Sequence, residues 1–142
     1  MVTDRVFVDT NVLLSGLIFD GNESRLLRIA IEGEIRLVIA EVVLEEARAV
    51  LQSKFPDHTR VLDDLLAVLN HELIPLPDHE SVRLAACHIR HPGDAAVLAS
   101  MISAGADYVI TGDKDFLTED VRALIPVCRC SEYLRSRFPE TP

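Results

Sequence analysis

Apolar residues along this chain follow two rhythms. Short continuous runs recur at Arg5–Asp9, Arg36–Ile39, Leu73–Leu76, Tyr108–Thr111 and Val127–Cys130. Between them, apolar residues return every three or four positions, over Asn22–Glu32, Glu41–Ser53, Thr59–Asn70, Glu80–His88 and Asp94–Ala104. Runs of the first kind suit strands covered on both faces, and the second spacing suits amphipathic helices. A last helix is expected from Ser131, whose hydroxyl suits an N-cap, to about Arg137. Strands alternating with helices predict an α/β fold with a central parallel sheet of about five strands flanked by helices.

No repeat, low-complexity stretch or linker interrupts this alternation, so residues 1–142 are expected to form a single domain. Hydrophobic residues make up 49% of the chain, with only six glycines and seven prolines, which excludes a disordered or fibrous protein. No apolar run approaches the roughly 20 residues that span a bilayer. The start, MVTDRVFVDT, lacks the cationic and then apolar pattern of a secretion signal. A cytoplasmic protein without membrane association is therefore expected. Cys128 and Cys130 could supply half of a thiolate metal site, yet Cys87 is the chain's one other cysteine and no second Cys or His cluster completes it. Alternation would put both on one face of a short strand as ordinary buried thiols.

Charge changes the picture more. The 23 acidic and 14 basic residues give a net charge of −9, which excludes a general electrostatic grip on nucleic acid. It suits a basic partner, or acids that hold cations. Several of these acids interrupt the apolar pattern. Val6, Phe7 and Val8 run straight into Asp9, where an ionised carboxylate is costly unless something pairs with it. Tyr108, Val109 and Ile110 run into Thr111-Gly112-Asp113-Lys114-Asp115 in the same way. Ligands of open α/β sheets bind beyond the carboxyl ends of the strands, where the strand order reverses. If these two strands are neighbours there, Asp9 and Asp113 converge, with Gly112 permitting the turn.

Asp94 heads a helix and shares a face with Val97, Leu98 and Met101. Glu46 lies at the edge of the Val43, Ala47 and Val50 stripe, whereas Glu45 points outward with Glu41 and Arg48. Each acid alone has an ordinary structural role: Asp9 as a helix cap, Asp94 as a favourable charge at a helix start, Asp113 as a turn residue. Four together, without matching Lys or Arg, repel one another unless a cation sits among them. Mg²⁺ or Mn²⁺ is the hard cation suited to such oxygens.

The stretches VDTNVLLSG, VVLEEARAVL and HPGDAAVLASMISAGADYVITGDKDFL, with the late strand before SEYL, resemble a PIN domain. The likeness covers nearly the whole chain and is greatest to the bacterial branch of toxins from toxin–antitoxin systems. The resemblance implies a Rossmann-like sheet, a Mg²⁺ or Mn²⁺ site and ribonuclease activity. Carried over by position, it implies Asp9, Glu46, Asp94 and Asp113 as catalytic, metal-holding acids and Asp115 as an auxiliary ligand. Asn11 and Thr111 would orient the carboxylates. It also implies an RNA substrate and an antitoxin partner, whose basic segment would meet the acidic cleft. Such toxins commonly pair through helices, and a mean hydropathy of +0.21 suits a homodimer with apolar surface to cover. One departure stands out: relatives carry more acid around the third position, where His91, Pro92 and Gly93 here precede a single Asp94. Whether one metal or two bind, and what His91 does, stay open.

Other chemistry is thinly represented. Lys114 and Arg25 are candidate phosphate contacts, though solvated surface charge is the commoner role. His58, His71 and His79 lie in polar segments, His88 and His91 flank a loop near Asp94, and no His–carboxylate pair at catalytic spacing emerges. Ser15 and Ser100 lack an identifiable base. A haloacid dehalogenase-type phosphatase also begins with an aspartate after its first strand. It wants a second Asp where Asn11 stands, and a lysine before the last acidic motif. A catalytically silent PIN-like module that binds protein or RNA is the remaining alternative, and intact acids count against it.

Overall fold

The computed structural model describes residues 3–140. Five strands, β1 (Asp4–Val8), β2 (Ile35–Ala40), β3 (His71–Ile74), β4 (Tyr108–Ile110) and β5 (Val127–Cys128), form one sheet in the order β3-β2-β1-β4-β5. Every pairing is parallel. Parallel neighbours need crossovers, and helices supply them. These are α1 (Thr10–Ile18) and α2 (Asn22–Ile31) after β1, α3 (Glu41–Lys54) and α4 (Thr59–Val68) after β2, α5 (His79–Ala85) and α6 (Ala95–Ala104) after β3, and α7 (Glu119–Arg122) after β4. The last helix, α8 (Cys130–Arg137), follows β5. β1 is the central strand, covered on both faces, so Val6, Phe7 and Val8 are wholly buried. This is why its apolar residues run without a break.

The chain builds outward from β1 through β2 to β3, then returns to the other side of β1 with β4. The strand order therefore reverses between β1 and β4. Their register pairs Val6 with Tyr108, Phe7 with Val109 and Val8 with Ile110. Asp9 N–H continues the ladder to the Ile110 carbonyl at 3.1 Å. Asp9 and Thr111 thus leave the sheet side by side.

Several boundaries differ from the apolar pattern. Helix α1 is absent from the periodicity because the apolar residues of its sequence, TNVLLSGLI, fall in two consecutive runs, Val12–Leu14 and Leu17–Ile18, rather than at helical spacing. Consecutive Val12, Leu13 and Leu14 are all buried, which leaves no polar face to mark the turn of a helix. Gly16 lets α2 approach α1: a Cβ there would lie 2.6 Å from Leu27 Cδ1 and 2.9 Å from the Glu23 carbonyl. Strand β3 begins and ends two residues earlier than Leu73–Leu76. It is an edge strand, and Leu73 and Leu76 remain about half exposed.

Strand β5 ends at Cys128, and α8 starts at Cys130 with Arg129 as N-cap rather than Ser131. The Glu132 carboxylate accepts from Arg129 N–H at 3.1 Å, satisfying the N-cap amide from the first turn of the helix. The two cysteines consequently do not share a strand face. Burial pushes the Cys128 thiol up to about 11 and the Cys130 thiol up to about 12, so both are inert. Separate 3₁₀ turns lie at Ala86–His88 after α5 and at Pro92–Asp94 before α6.

The amino-terminal edge of the sheet is cross-braced. Asp4 accepts from the Tyr133 hydroxyl at 2.9 Å and from Arg137 Nε at 3.0 Å, fastening α8 to β1. Arg5 reaches Glu72 of β3 at 2.6 Å and donates to the Ala104 and Gly105 carbonyls at 2.9 and 3.0 Å. Gly105, in the left-handed region at φ +55°, ends α6 there.

Candidate active site

Four chain segments deliver carboxylates to the opposite, carboxyl edge of the sheet. Asp9 is only 5% exposed. Its Oδ1 accepts from Thr10 N–H at 2.7 Å, capping α1, and its Oδ2 accepts from the Thr111 hydroxyl at 2.8 Å. Cap and strand-end acid are therefore one residue. Burial pushes the Asp9 carboxyl above its ordinary value, and the nearby Asp113 and Glu46 add to the effect. The bonds from Thr111 and Thr10 oppose it.

Thr111 is fully buried, and its hydroxyl does two jobs. It donates to Asp9 and accepts from Asp113 N–H at 3.1 Å, joining the ends of β1 and β4. Asp113 in turn caps the 3₁₀ turn Lys114–Phe116, accepting from Asp115 N–H at 2.9 Å, while Phe116 is buried beneath. Gly112 has an ordinary φ and open space around its Cα, so this turn does not require glycine.

Asp94 is not inside a helix but ends the 3₁₀ turn Pro92–Asp94, immediately before α6. An oxygen of Asp94, one of Asp113 and one of Asp115 lie within 4.8 Å of one another. Burial raises the Asp94 carboxyl, with Asp113 and then Asp115 adding to it and His91 opposing. From α3, Glu46 accepts from the Thr10 hydroxyl at 2.8 Å. Glu45 sits one position round the helix, in a separate depression with Glu41, Leu44 and Arg48.

These residues line a cleft of about 410 Å³. Asp9, Thr10, Asn11, Glu46, Asp94 and Asp113 supply its polar wall, and Val50, Val97 and Phe116 are among its apolar residues. Among the described residues no Lys, Arg or His lines it. An all-oxygen set of converging carboxylates without a cation in the cleft fits a hard divalent ion such as Mg²⁺ or Mn²⁺.

Asn11 reaches the cleft, but among the described residues its side chain makes no hydrogen bond, so the orienting contact belongs to Thr10. Nothing in the sequence marks Thr10, because its partner lies 36 positions away. Asp115 stands outside the cleft wall and meets two basic side chains, Arg90 at 3.3 Å and His91 at 3.4 Å. His88 likewise pairs with Asp120 at 3.0 Å. His–carboxylate pairs therefore exist where sequence spacing suggested none. Arg25 donates to the Phe138 carbonyl and is not part of the cleft wall. Lys114 is exposed. Ser100 donates to Ala96 of its own helix at 3.0 Å, a satisfied core hydroxyl.

Comparison with known proteins agrees with this architecture. No curated protein matches the sequence. Among solved structures, VapBC2 from Rickettsia felis, crystallised bound to a DNA fragment from their promoter, is similar in fold. Its TM-score is 0.66 at 14% identity, over 88% of this chain and 98% of that one. PAE2754 from Pyrobaculum aerophilum gives 0.65 at 15% identity, over 94% of each chain. FitAcB from Neisseria gonorrhoeae gives 0.60 at 16%, over 89% of this chain and 98% of that one. The PIN domain profile matches residues 5–115, from the start of β1 through the turn that carries Asp113 and Asp115. On that match, together with the all-parallel sheet and its switch point at Asp9, this chain belongs to the PIN-domain family.

Proposed function

We propose that this protein is a divalent-metal-dependent endoribonuclease, hydrolysing RNA phosphodiesters, and that it is the toxin of a toxin–antitoxin pair. The observation that carries the reading is the set of carboxylates at the switch point, Asp9, Glu46, Asp94 and Asp113, which line one cleft without, among the described residues, a Lys, Arg or His side chain in its wall. Asp9, Asp94 and Asp113 would hold Mg²⁺ or Mn²⁺, with Glu46 at its margin. When bound, such an ion lowers the pKa of a water and draws charge from a phosphoryl oxygen.

The protein's own groups prepare this chemistry. Hydrogen bonds from Thr111 and Thr10 fix Asp9 and Glu46 before any ligand arrives, which limits the reorganisation needed on binding. An anionic cleft takes the scissile phosphate itself among its acids only once their charge is compensated, which suits a metal-dependent reaction.

The family membership and the likeness of fold to VapBC2 and FitAcB support an antitoxin partner. The net charge of −9 suits a basic segment on that partner. Exposed apolar side chains, including Leu84, Ile102 and Leu124, support a homodimer. A single domain over residues 1–142, acting in the cytoplasm, completes the proposal. Among the described residues no helix is long and apolar enough to cross a membrane.

The test incubates purified protein with single-stranded RNA and with a small phosphate ester, in chelator, Mg²⁺ or Mn²⁺. Cleavage of RNA only, and only with metal, is expected. RNA bound but never cut would make the protein a binding module, and turnover of the ester would make it a phosphatase. Light scattering on the same sample is expected to show a dimer at micromolar concentration; a monomer removes that part of the proposal.

A further inference from the structure

One turn beside the cleft carries two basic side chains. Arg90 and His91 immediately precede Pro92–Asp94, and the His91 carbonyl accepts from Asp94 N–H at 3.0 Å, so the two basic residues and Asp94 belong to one turn. Each takes a different oxygen of Asp115: Arg90 meets Oδ1 at 3.3 Å and His91 meets Oδ2 at 3.4 Å. Asp115 is itself fixed, since its backbone N–H donates to Asp113 at 2.9 Å. Its side chain is 23% exposed, against 78% for Arg90 and 58% for His91.

The distribution of charge gives this contact its meaning. In a chain of net charge −9, many arginines are already occupied: Arg5 and Arg36 by Glu72, Arg48 by Asp63, Arg83 by Glu80 and Arg137 by Asp4. The guanidinium of Arg90 uses one of its five N–H groups, on a long contact, and presents the rest to solvent. A planar fork with spare donors matches a phosphate.

We infer that Arg90 and His91 form the rim that takes an RNA phosphate flanking the scissile bond, and that Asp115 anchors this rim rather than ligating metal. The inference rests on the ribonuclease reading. Arg90 contacts substrate; Asp115 is a positioning residue.

The decisive feature is a sign. Removing the negative charge of Asp115 should tighten binding of a polyanion if electrostatics alone operates, and should weaken it if the rim loses its anchor. Binding of labelled single-stranded RNA is measured by fluorescence anisotropy at several salt concentrations in chelator, with KM and kcat measured in Mn²⁺. Arg90→Ala is expected to weaken binding about five- to tenfold and to lower the salt slope by about one. In cleavage it raises KM more than it lowers kcat, and Arg90→Lys recovers part of the loss. Asp115→Asn weakens RNA binding too, adds little to Arg90→Ala in the double variant, and keeps the parent's Mn²⁺ affinity by calorimetry.

Tighter RNA binding by Asp115→Asn, or loss of its Mn²⁺ affinity, overturns the anchoring role. A parent that cuts RNA while Arg90→Ala leaves Kd, salt slope and KM unchanged overturns the rim alone. A parent that neither binds nor cuts RNA brings down the ribonuclease reading and the rim with it.

Discussion

The two ends of β1 handle acids in opposite ways. At its start, Asp4 has Arg137 and Tyr133, and Glu72 across the sheet has Arg5 and Arg36. The Arg5 guanidinium holds the Glu72 carboxyl below its ordinary value. At its finish, Asp9 and nearby Asp94 are both pushed up, chiefly by burial and then by neighbouring carboxylates. The same strand therefore joins an edge where every named acid has a basic partner to one where acids gain hydroxyl and amide donors but, among the described residues, no basic side chain in the cleft wall. The first arrangement stabilises the folded chain by itself. The second leaves negative charge uncompensated, which is what a site for a cation requires.

Neutralising one acid at each end tests this contrast, and the largest effect belongs to the carboxyl edge. Asp113→Asn is expected to reduce RNA cleavage by about two orders of magnitude or more. It should also abolish most of the thermal shift that Mg²⁺ or Mn²⁺ gives the parent. In chelator it should melt at or above the parent temperature, because like charges have been separated. A clear loss of metal-free stability with the metal shift intact would erase the distinction between the two edges. Asp9→Ala should behave differently in chelator, costing about 1–2 kcal/mol, because alanine, unlike asparagine, leaves no side-chain acceptor to cap α1.

Glu46→Gln should lower metal-dependent cleavage about tenfold while Glu45→Gln leaves it near the parent value, given that only Glu46 faces Asp9 and Thr10. Comparable losses in the two variants would mean that helix α3 contributes a general field rather than a positioned group. Thr111→Val probes the seam itself. It removes a donor to buried Asp9 and an acceptor for Asp113 N–H, at a cost of about 1–3 kcal/mol in chemical denaturation. Because the same hydroxyl orients Asp9, cleavage should fall as well, which Thr10→Val, touching only the more exposed Glu46, should do less strongly.

The smallest effects lie at the amino edge. Glu72→Gln should cost no more than about 1 kcal/mol at neutral pH, since the pair with Arg5 is about a third exposed. The sign with pH is fixed by the depressed carboxyl. Its contribution is present above the ordinary value of 4.5 and is lost as pH falls through the lower folded value. The variant's stability should therefore decline less steeply than the parent's on the acid side, with kcat unchanged throughout. An altered kcat would show that the braced edge reaches the cleft.

Much of this was legible in the sequence, for identifiable reasons. Continuous apolar runs marked β1 and β4 because both faces of an interior parallel strand are covered, and an acid ending such a run is conspicuous. Helix α1 was hidden because its apolar residues stand in consecutive runs, which leave no helical period to read. The edge strand β3 drifted because its leucines need not point inward. Thr10–Glu46 and Arg90–Asp115 could not be anticipated, for they join positions 36 and 25 residues apart and exist only once the sheet order is known.

The grip of Arg5 on the end of α6 has a metric consequence. Arg5 to Asp9 advances roughly 13 Å at the rise of a strand. Ala104 back to Asp94 covers roughly 15 Å at the rise of a helix. Clamped together at one edge through the Ala104 and Gly105 carbonyls, strand and helix act as the two jaws of a caliper whose tips are Asp9 and Asp94. Its calibration is set by residue count. One residue inserted within α6 would swing Asp94 about 100° around the helix axis and advance it about 1.5 Å, while Asp9 stayed where it was.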